Sequence, residues 1–535
     1  MKLLSFELNG TNHKFISNEC NDLDNKYTFL VGENGSGKTE CLVQIINSLN
    51  RYQLQHEQHE QHRDMLDKHL ENRYKSSLVD FKIKSNLVFE KKDEKISISF
   101  EKTDAPREII GFDGKKINLN QNSFRYIYNF KTSATVCNKA DYDKESSIIA
   151  ISESPYNKFP ILQSDSYFNY YNIGVNTEEK NEYLNHQSDD YVHPKVKQLT
   201  MSICGSLSEH HKTNFSHLFR MLGFSEKIKF TLKIKDSFKY LNNNSKELAE
   251  RVVSNRYRDT RFSSVGKNTE KEIESKKNQD KTEIIKAIDG LHKLEPNLFT
   301  IESNQYHDSM NRELDFDIDF NSYTLMTGYV KTLIEYDVLF VSNIYFYNLK
   351  FEKQSIDSSR LSSGQLCVLN LIFGISSKIL NNSLILIDEP EISLHPHWQS
   401  NIISVIHNSF KNYTACHFII ATHSPHIISN VIKNNSSLVL MENSENNNLA
   451  NDIINTEYGC QGWTVEEILH DIMGMSDTRT DEYHQRIKEF EVAIEQDNYL
   501  LAKASFTELD NLLHPNNHLR KLLKLDLVSV KSEVE

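Results

Sequence analysis

One short stretch constrains the fold of this chain more than any other feature. It is "GENGSGKT", Gly32–Thr39, which matches the pattern GxxxxGK[ST]. A β-prone segment, Tyr27–Val31, precedes it, and apolar residues follow it on one helical face, namely Cys41, Leu42, Ile45, Ile46 and Leu49. In such a strand–loop–helix the glycines let the backbone wrap around phosphate groups, which the N–H groups at the start of the helix then hold. The sequence therefore predicts a nucleotide-binding α/β fold.

Every position of this loop is a predicted nucleotide contact: Gly32, Glu33, Asn34, Gly35, Ser36, Gly37, Lys38 and Thr39. We expect Lys38 to reach the β- and γ-phosphate oxygens and Thr39 to ligate Mg²⁺. The stretch "NKAD" at 138–141 matches the guanine-reading motif of GTPases. However, residues 51–80 are polar and helix-prone and offer no DxxG after a strand. The predicted cofactors are therefore ATP and Mg²⁺.

A second motif lies in "SLILIDEPEISLHP", residues 383–396. Leu384–Ile387 is an uninterrupted apolar run, as a strand buried on both faces requires. Asp388 and Glu389 follow at its carboxyl end, where α/β sheets place their chemistry. We expect Asp388 to hold Mg²⁺ through its water shell, and Glu389 to orient and polarise the attacking water.

A third motif is "HFIIATHSPHII", residues 417–428, a buried strand with His423 just past its end. A single histidine in such a place is usually structural. After the two preceding motifs, it resembles the switch histidine of ABC-type ATPases, which contacts the γ-phosphate. The predicted catalytic residues are therefore Glu389, His423 and Lys38.

The stretch "LSSGQ" resembles the signature of ABC-type ATPases; its residues are Leu361, Ser362, Ser363, Gly364 and Gln365. Apolar residues follow it with helical spacing, so it is predicted to begin a helix, where unpaired N–H groups and the dipole favour an anion. The alternative is an ordinary serine-capped core helix. The resemblance implies that the signature caps the nucleotide of a second subunit, in a head-to-tail homodimer with two ATP molecules in the interface.

Together these motifs resemble the ABC-type AAA ATPases of the overcoming-lysogeny-defect and SMC-like group, most clearly in "IDEPEISLHPHWQ" (387–399). The stretches "IIAISESPYNKFP" (148–160), "NYYNIG" (169–174) and the tail 462–494 are similar to PtuA-like ATPases of Septu-type and retron-associated anti-phage systems. The resemblance implies an HNH nuclease partner, with retron RNA–DNA as a further candidate partner. Ser363 departs from the usual second glycine of the signature, and Gln163 is a weak candidate for the Q-loop.

Composition excludes several classes of protein. Lys and Arg number 61 against 74 Asp and Glu, a net charge of −13, so the chain as a whole is not a non-specific nucleic-acid binder. No apolar run approaches the length of a membrane span, and "MKLLSF" is too short for a signal peptide. The seven cysteines include no CxxC pair, which favours a reducing, cytoplasmic setting.

The motifs and the patterns between them predict four segments. They are 1–175, the first part of an ATPase head with a β lobe; 176–340, a mainly helical insertion; 341–445, the second part of the head; and 446–535, a helical C-terminal tail with a candidate role in partner docking. The insertion contains the most basic stretch, with Arg251, Arg256, Arg258 and Arg261 as candidate nucleic-acid contacts. A solvated charged helix is the competing interpretation, as it is for His56, His59 and His62.

The sequence offers no nuclease in the chain itself. Glu442 has the place of a Toprim glutamate, but no DxD follows, and His514 with His518 lies in a tail predicted to be helical. The predicted function is an ATP-hydrolysing regulator of an anti-phage complex that controls an HNH-type nuclease. The alternatives are an SMC-like DNA repair ATPase and an ATP-bound scaffold with negligible turnover.

Overall fold

The computed structural model describes most of the chain, and the statements below refer to that part. The described residues are 2–8, 11–15, 23–33, 35–58, 85–91, 94–100, 102–106, 108–110, 116–118, 124–128, 131–132, 147–154, 157–160, 169–174, 194–207, 212–234, 244–257, 267–294, 314–320, 325–351, 353–431, 435–441, 453–454, 460, 462–475 and 480–534.

The strands of these ranges are β1 (Lys2–Leu8), β2 (Thr11–Lys14), β3 (Lys26–Val31), β4 (Ser85–Lys91), β5 (Glu94–Phe100), β6 (Lys102–Pro106), β7 (Glu108–Ile110), β8 (Lys116–Asn118), β9 (Phe124–Tyr128), β10 (Lys131–Thr132), β11 (Ser147–Ser152), β12 (Asn169–Ile173), β13 (Phe224–Ile234), β14 (Leu314–Asp319), β15 (Leu339–Asn348), β16 (Ser355–Asp357), β17 (Leu384–Asp388), β18 (His417–Ala421), β19 (Ser436–Leu440) and β20 (Ile453–Ile454).

The helices are α1 (Lys38–Gln58), α2 (Pro194–Ser206), α3 (Ser216–Leu222), α4 (Ser245–Arg256), α5 (Lys267–Leu294), α6 (Leu325–Glu335), α7 (Ser363–Ser376), α8 (Pro396–Phe410), α9 (Pro425–Ile428), α10 (Val465–Glu467), α11 (Asp481–Glu495), α12 (Tyr499–Leu512) and α13 (Leu519–Val534). A short 3₁₀ turn, Ser358–Arg360, precedes α7, and a π-helical turn, Ile468–Ile472, follows α10.

A seven-stranded sheet forms the centre of the fold, in the order β12-β11-β17-β18-β3-β19-β20. All neighbours pair in parallel except β20, which runs antiparallel to β19. The strands β3, β11, β17 and β18 are buried along their whole length, as the continuous apolar run Leu384–Ile387 predicts for β17. In register, Ser152 pairs with Asp388, Asp388 with Ala421, and Ala421 with Leu30. The carboxyl ends of four strands therefore meet at one edge.

A second, antiparallel sheet has the order β10-β5-β4-β1-β2, and two small pairs join β6 to β9 and β7 to β8. These strands confirm the β lobe expected between the phosphate loop and β11. The sequence analysis assigned no strand to Lys2–Leu8, but β1 completes this sheet by pairing with both β2 and β4.

A buried hydrogen-bond chain joins β1 to the central sheet through His417. The backbone N–H of Leu3 donates to His417 Nδ1 at 3.1 Å, so the imidazole proton lies on Nε2, which faces Thr28 Oγ1 at 2.9 Å. Thr28 donates in turn to the carbonyl of Phe15 at 2.9 Å, and Ser437 donates to the same carbonyl. His417 is fully buried and serves as a neutral connector between strands.

The region between β12 and the signature combines helices with an antiparallel sheet of order β14-β13-β15-β16. The sequence analysis expected a mainly helical insertion here, and the structure adds β13 and β14 to its helices. In β13 the buried side chains Ile228, Phe230 and Leu232 alternate with polar or charged residues, which is the two-residue periodicity of a β-strand. The boundary expected at residue 340 lies inside this sheet, because β15 spans it.

The chain divides into two compact units, Met1–Trp463 and Thr464–Glu535. The strand β20 pairs with β19, so residues just past the expected boundary at 446 still belong to the head. The second unit is helical in its described residues and has its own core, made of Tyr483, Phe490, Ala493, Ala502, Leu509, Leu513 and Leu523. Among the described helices of both units, none is long and apolar enough to cross a membrane.

Candidate functional site

The phosphate loop lies between β3 and α1, at the carboxyl edge of the central sheet. Gly35 and Gly37 have φ values of +84° and +88°, backbone that L side chains rarely adopt. Lys38 is buried, and its Nζ donates to the carbonyls of Gly32 and Glu33, both at 2.8 Å, and to Ser36 Oγ at 3.2 Å. The amine is thus held inside the loop, at the position where a phosphate-binding cation is needed. Asn34 lies outside the described residues.

Thr39 and Asp388 join the first turn of α1 to the end of β17. The Thr39 hydroxyl lies 3.0 Å from Asp388 Oδ1 and 3.2 Å from Oδ2. A hydroxyl and a carboxylate oxygen are ligands of the kind that Mg²⁺ prefers. Burial raises the pKa of Asp388 to about 6, while the Thr39 hydrogen bond lowers it and the charges of Glu389 and Glu391 raise it.

Glu389 and His423 face each other across the ends of β17 and β18. Glu389 has φ +49°, a left-handed turn that ends the strand, and its N–H donates to the Ala421 carbonyl at 2.9 Å. His423 Nε2 lies 3.5 Å from Glu389 Oε1, and both side chains are partly exposed. Burial, with help from the Lys38 charge, lowers the pKa of His423, so the imidazole is neutral near pH 7.

Burial also lowers the pKa of Lys38 to about 8, against the opposing effect of the carboxylates Glu389, Glu391 and Asp388. One amine, one imidazole and three carboxyl groups therefore influence one another at this edge of the sheet. A site of this composition matches what phosphoryl transfer to water requires: a cation for the phosphates, oxygen ligands for a metal, and a carboxylate that solvent can reach.

Glu391 belongs to this site, although the sequence analysis gave it no role. Its Oε1 accepts the backbone N–H of His423 at 2.5 Å. The signal was present in "DEPE", where a second carboxylate follows the Walker B pair, but its direction depends on the left-handed turn at Glu389.

The signature residues begin α7, as expected. Ser362 is the N-cap, and a capping box joins it to Gln365: Gln365 N donates to Ser362 Oγ at 3.2 Å, and Ser362 N donates to Gln365 Oε1 at 2.9 Å. Leu361 and Gly364 are buried, whereas Ser362 and Ser363 are exposed. A methyl group built on Gly364 would lie 2.8 Å from the Ser393 carbonyl oxygen, so this position has room only for glycine.

The basic candidates of the insertion divide into two groups. Arg251 and Arg256 are exposed on α4, while Arg258 and Arg261 lie outside the described residues. The Arg256 guanidinium lies 4.8 Å from the centre of the Tyr336 ring. The hydroxyl of Tyr336 donates to Asp280 at 2.9 Å and to Glu283 at 3.2 Å. The exposed Arg256 side chain thus has a cation–π partner, Tyr336, whose hydroxyl binds acidic groups.

Some other positions considered in the sequence lie outside the described residues. They are 138–141, Gln163, Glu442, His59 and His62, and of His56 the structure describes only the backbone. His514 and His518 lie in the turn between α12 and α13.

Three proteins from anti-phage defence systems and retrons are similar to this chain in sequence. The Septu protein PtuA of Bacillus thuringiensis is 38% identical over 152 residues, which is 28% of this chain and 37% of that protein. The retron Ec83 probable ATPase of Escherichia coli is 32% identical over 112 residues (17% and 20%), and the retron Vc95 probable ATPase of Vibrio cholerae serotype O1 biovar El Tor is 37% identical over 82 residues (13% and 15%). These matches confirm the resemblance inferred from the motifs, and they span well under half of each relative.

Solved structures with similar features include two SMC head domains. That of Pyrococcus furiosus, bound to the C-terminal domain of ScpA, is 12% identical with a TM-score of 0.29, covering 82% of this chain and 94% of that one. That of Thermotoga maritima is 11% identical with a TM-score of 0.30, covering 83% and 96%.

The family model for the AAA ATPase domain matches residues 1–428 of the 535. This range includes the phosphate loop, the signature, the Walker B strand and His423. The strand order, which brings three of these motifs to one edge of a parallel sheet, agrees with that match. The chain therefore belongs to the AAA ATPase domain family and is an ATPase.

Proposed function

We propose that this ATPase is the regulatory subunit of an anti-phage defence complex, acts in the cytoplasm, and controls an associated nuclease of the HNH type. The observation that carries the proposal is the 38% identity to a Septu protein, combined with a site that retains Lys38, Asp388, Glu389 and His423. A protein that only bound ATP as a scaffold would have no need of the Glu389–His423 pair.

In the proposed reaction, Lys38 and the N–H groups of the phosphate loop bind the β- and γ-phosphates of ATP. Thr39 and Asp388 hold Mg²⁺, which when bound neutralises the charge that develops on the phosphate oxygens. Glu389 orients and polarises the attacking water, and its 3.5 Å separation from His423 supports a role for both groups at the γ-phosphate.

The proposed assembly is a head-to-tail homodimer in which each signature completes the partner's nucleotide site. The exposed N-terminus of α7, with Ser362 and Ser363, supports this, since its N–H groups and dipole favour an anion from outside the subunit. ATP binding at both sites would close the heads, and hydrolysis would reopen them. Ser363 in place of the usual glycine predicts slow turnover.

The nuclease and retron RNA–DNA are proposed as partners only because the chain is similar in sequence to Septu and retron proteins. The helical unit Thr464–Glu535 is the proposed docking element, because it forms a compact body with its own core after the ATPase family domain ends.

The competing function is a DNA repair ATPase that uses the basic stretch of α4. The contact of Arg256 with Tyr336 beside Asp280 argues against it, because the guanidinium already has a partner and acidic neighbours. Strong stimulation of turnover by DNA, abolished by changing Arg251 and Arg256, would favour the repair function instead.

The test is purification of Glu389→Gln together with the products of neighbouring genes, in ATP, followed by mass determination. A dimer or larger even assembly that carries a small HNH protein is expected. Lys38→Ala is the matched control, which should not assemble in an ATP-dependent way. A monomer without a protein partner, dimerising only with ATP and DNA, would contradict the defence function and favour the repair ATPase.

A further inference from the structure

Two loops at the carboxyl edge of the sheet determine the catalytic geometry. The acidic loop, residues 389–394, follows β17, and the switch loop, residues 422–424, follows β18. Glu389 N donates to the carbonyl of Ala421, the last residue of β18, at 2.9 Å, and this bond continues the ladder between the strands. His423 N, in the switch loop, donates to Glu391 Oε1 at 2.5 Å, and the Thr422 side chain also hydrogen-bonds to Glu391. The side chain of Glu391 therefore connects the acidic loop to the switch loop.

The acidic loop is built to hold Glu391 in place. Ile392 N donates to the Glu389 carbonyl at 3.2 Å, and Leu394 N donates to the Glu391 carbonyl at 3.0 Å, so two tight turns follow each other. Glu389 and Ser393 have φ values of +49° and +65°, conformations that persist only where the surroundings enforce them. A carboxylate carried by such a loop is preorganised for its partner.

Burial of the Glu391 carboxylate is unfavourable in free energy. Its Oε2 is buried and has no hydrogen-bond partner among the described residues. Asp388 at the end of β17 and Glu389 on the acidic loop lie close to it, and Lys38 and His423 face it from α1 and the switch loop. Burial raises the pKa of Glu391, and the His423 N–H opposes this. A buried carboxylate is a costly acceptor for the His423 N–H and the Thr422 side chain, which indicates that these contacts serve function.

We propose that Glu391 is a positioning residue for ATP hydrolysis, which acts by fixing the backbone of His423 so that the imidazole stays beside Glu389. The inference rests on the proposed roles of Glu389 and His423. Glu391 itself need not touch ATP or Mg²⁺. Its effect is on the step in which water attacks, because the contacts of Lys38 and Thr39 in the phosphate loop do not involve it.

Three substitutions of Glu391 distinguish the position of its side-chain oxygen from its negative charge. Glu391→Gln keeps an oxygen at the same distance from the backbone and loses the charge. Glu391→Asp keeps the charge but shortens the side chain by one methylene, which moves the carboxylate away from His423 N. Glu391→Ala removes both. Displacement of a catalytic group by about 1 Å can cost about 10²-fold in rate. We expect kcat to fall about 10–100-fold for Ala and Asp and to stay within about 3-fold for Gln, with KM for ATP nearly unchanged throughout.

The assay is steady-state ATP hydrolysis, with thermal unfolding of each variant as the check on folding. Glu335→Ala, which removes an exposed carboxylate on α6, is the matched control and should behave as wild type. Full activity of Glu391→Ala would overturn the proposal. An active Asp variant beside an inactive Gln variant would also overturn it, because charge rather than position would then matter. Absence of turnover in the wild type would overturn the proposed function as well, and Lys38→Ala provides its baseline.

Discussion

His417 offers a quantitative test of the link between β1 and the central sheet. It is fully buried, and its two nitrogens contact Leu3 N and Thr28 Oγ1. Burial, with help from the nearby charges of Lys2 and Lys26, lowers its pKa to about 3. The folded chain therefore keeps this imidazole neutral at any pH used for an assay, whereas the unfolded chain protonates it near pH 6.5.

The sign and size of the effect follow from that difference. Above pH 6.5 both states are neutral, so His417 adds no pH dependence. Below pH 6.5 the unfolded chain binds a proton that the folded chain does not, and stability is lost until the pH reaches about 3. Between pH 7 and pH 5 this amounts to about 2 kcal/mol. His13, whose pKa burial lowers to about 4, should contribute a similar loss.

The measurement is urea unfolding at pH 7 and pH 5, followed by the fluorescence of Trp398 and Trp463, both in the first unit. The perturbation is His417→Gln, which can still accept from Leu3 and donate to Thr28 but does not titrate. We expect the variant to be less stable at pH 7 and to lose about 2 kcal/mol less than wild type on going to pH 5. An equal loss in both proteins would refute the neutral, buried histidine.

Three further predictions concern the site and the tail. Gly364→Ala should lower ATP turnover about 10-fold or more, because its methyl group would lie 2.8 Å from the Ser393 carbonyl, while Glu335→Ala on the exposed face of α6 should not, and both are checked by steady-state hydrolysis. Affinity for Mg²⁺–ATP should fall as the pH drops through about 6, where Asp388 gains a proton and ceases to be a ligand, and calorimetric titration at pH 5.5 and 7.5 measures this. Phe490→Ala should destabilise the C-terminal unit by about 3–5 kcal/mol, seen as rapid proteolysis confined to residues after 463; unchanged resistance would contradict the assigned core.

The local sequence was sufficient to predict the strands that carry the residues of the candidate site. The run Leu384–Ile387 is uniformly apolar, and Tyr27–Val31 is apolar except for Thr28, because both faces of a central parallel strand are buried, so both could be recognised without partners. The polar residues that follow such strands necessarily meet at one edge, which is why Thr39, Asp388 and His423 could be grouped from the sequence alone.

Other features depend on contacts that no local pattern specifies. The direction of Glu391 follows from a left-handed residue at 389, a conformation that glutamate rarely adopts. The His417 network joins residues 3, 28 and 437 from three other strands, and only the strand order brings them together. In β13 apolar residues alternate with lysines, and these charged residues made the strand hard to recognise from the sequence.

The position of β3 has a consequence for how the protein is made. Its neighbours are β18, from the end of the family domain, and β19, from just beyond it. Since β18 begins at His417 and β3 ends at Val31, the ribosome adds 417 − 31 = 386 residues before β3 can pair at all. At about 5–20 residues per second this takes about 20–80 s, during which a largely apolar strand has no sheet to join. Chaperone demand during synthesis should therefore begin early and end only when residue 440 has emerged.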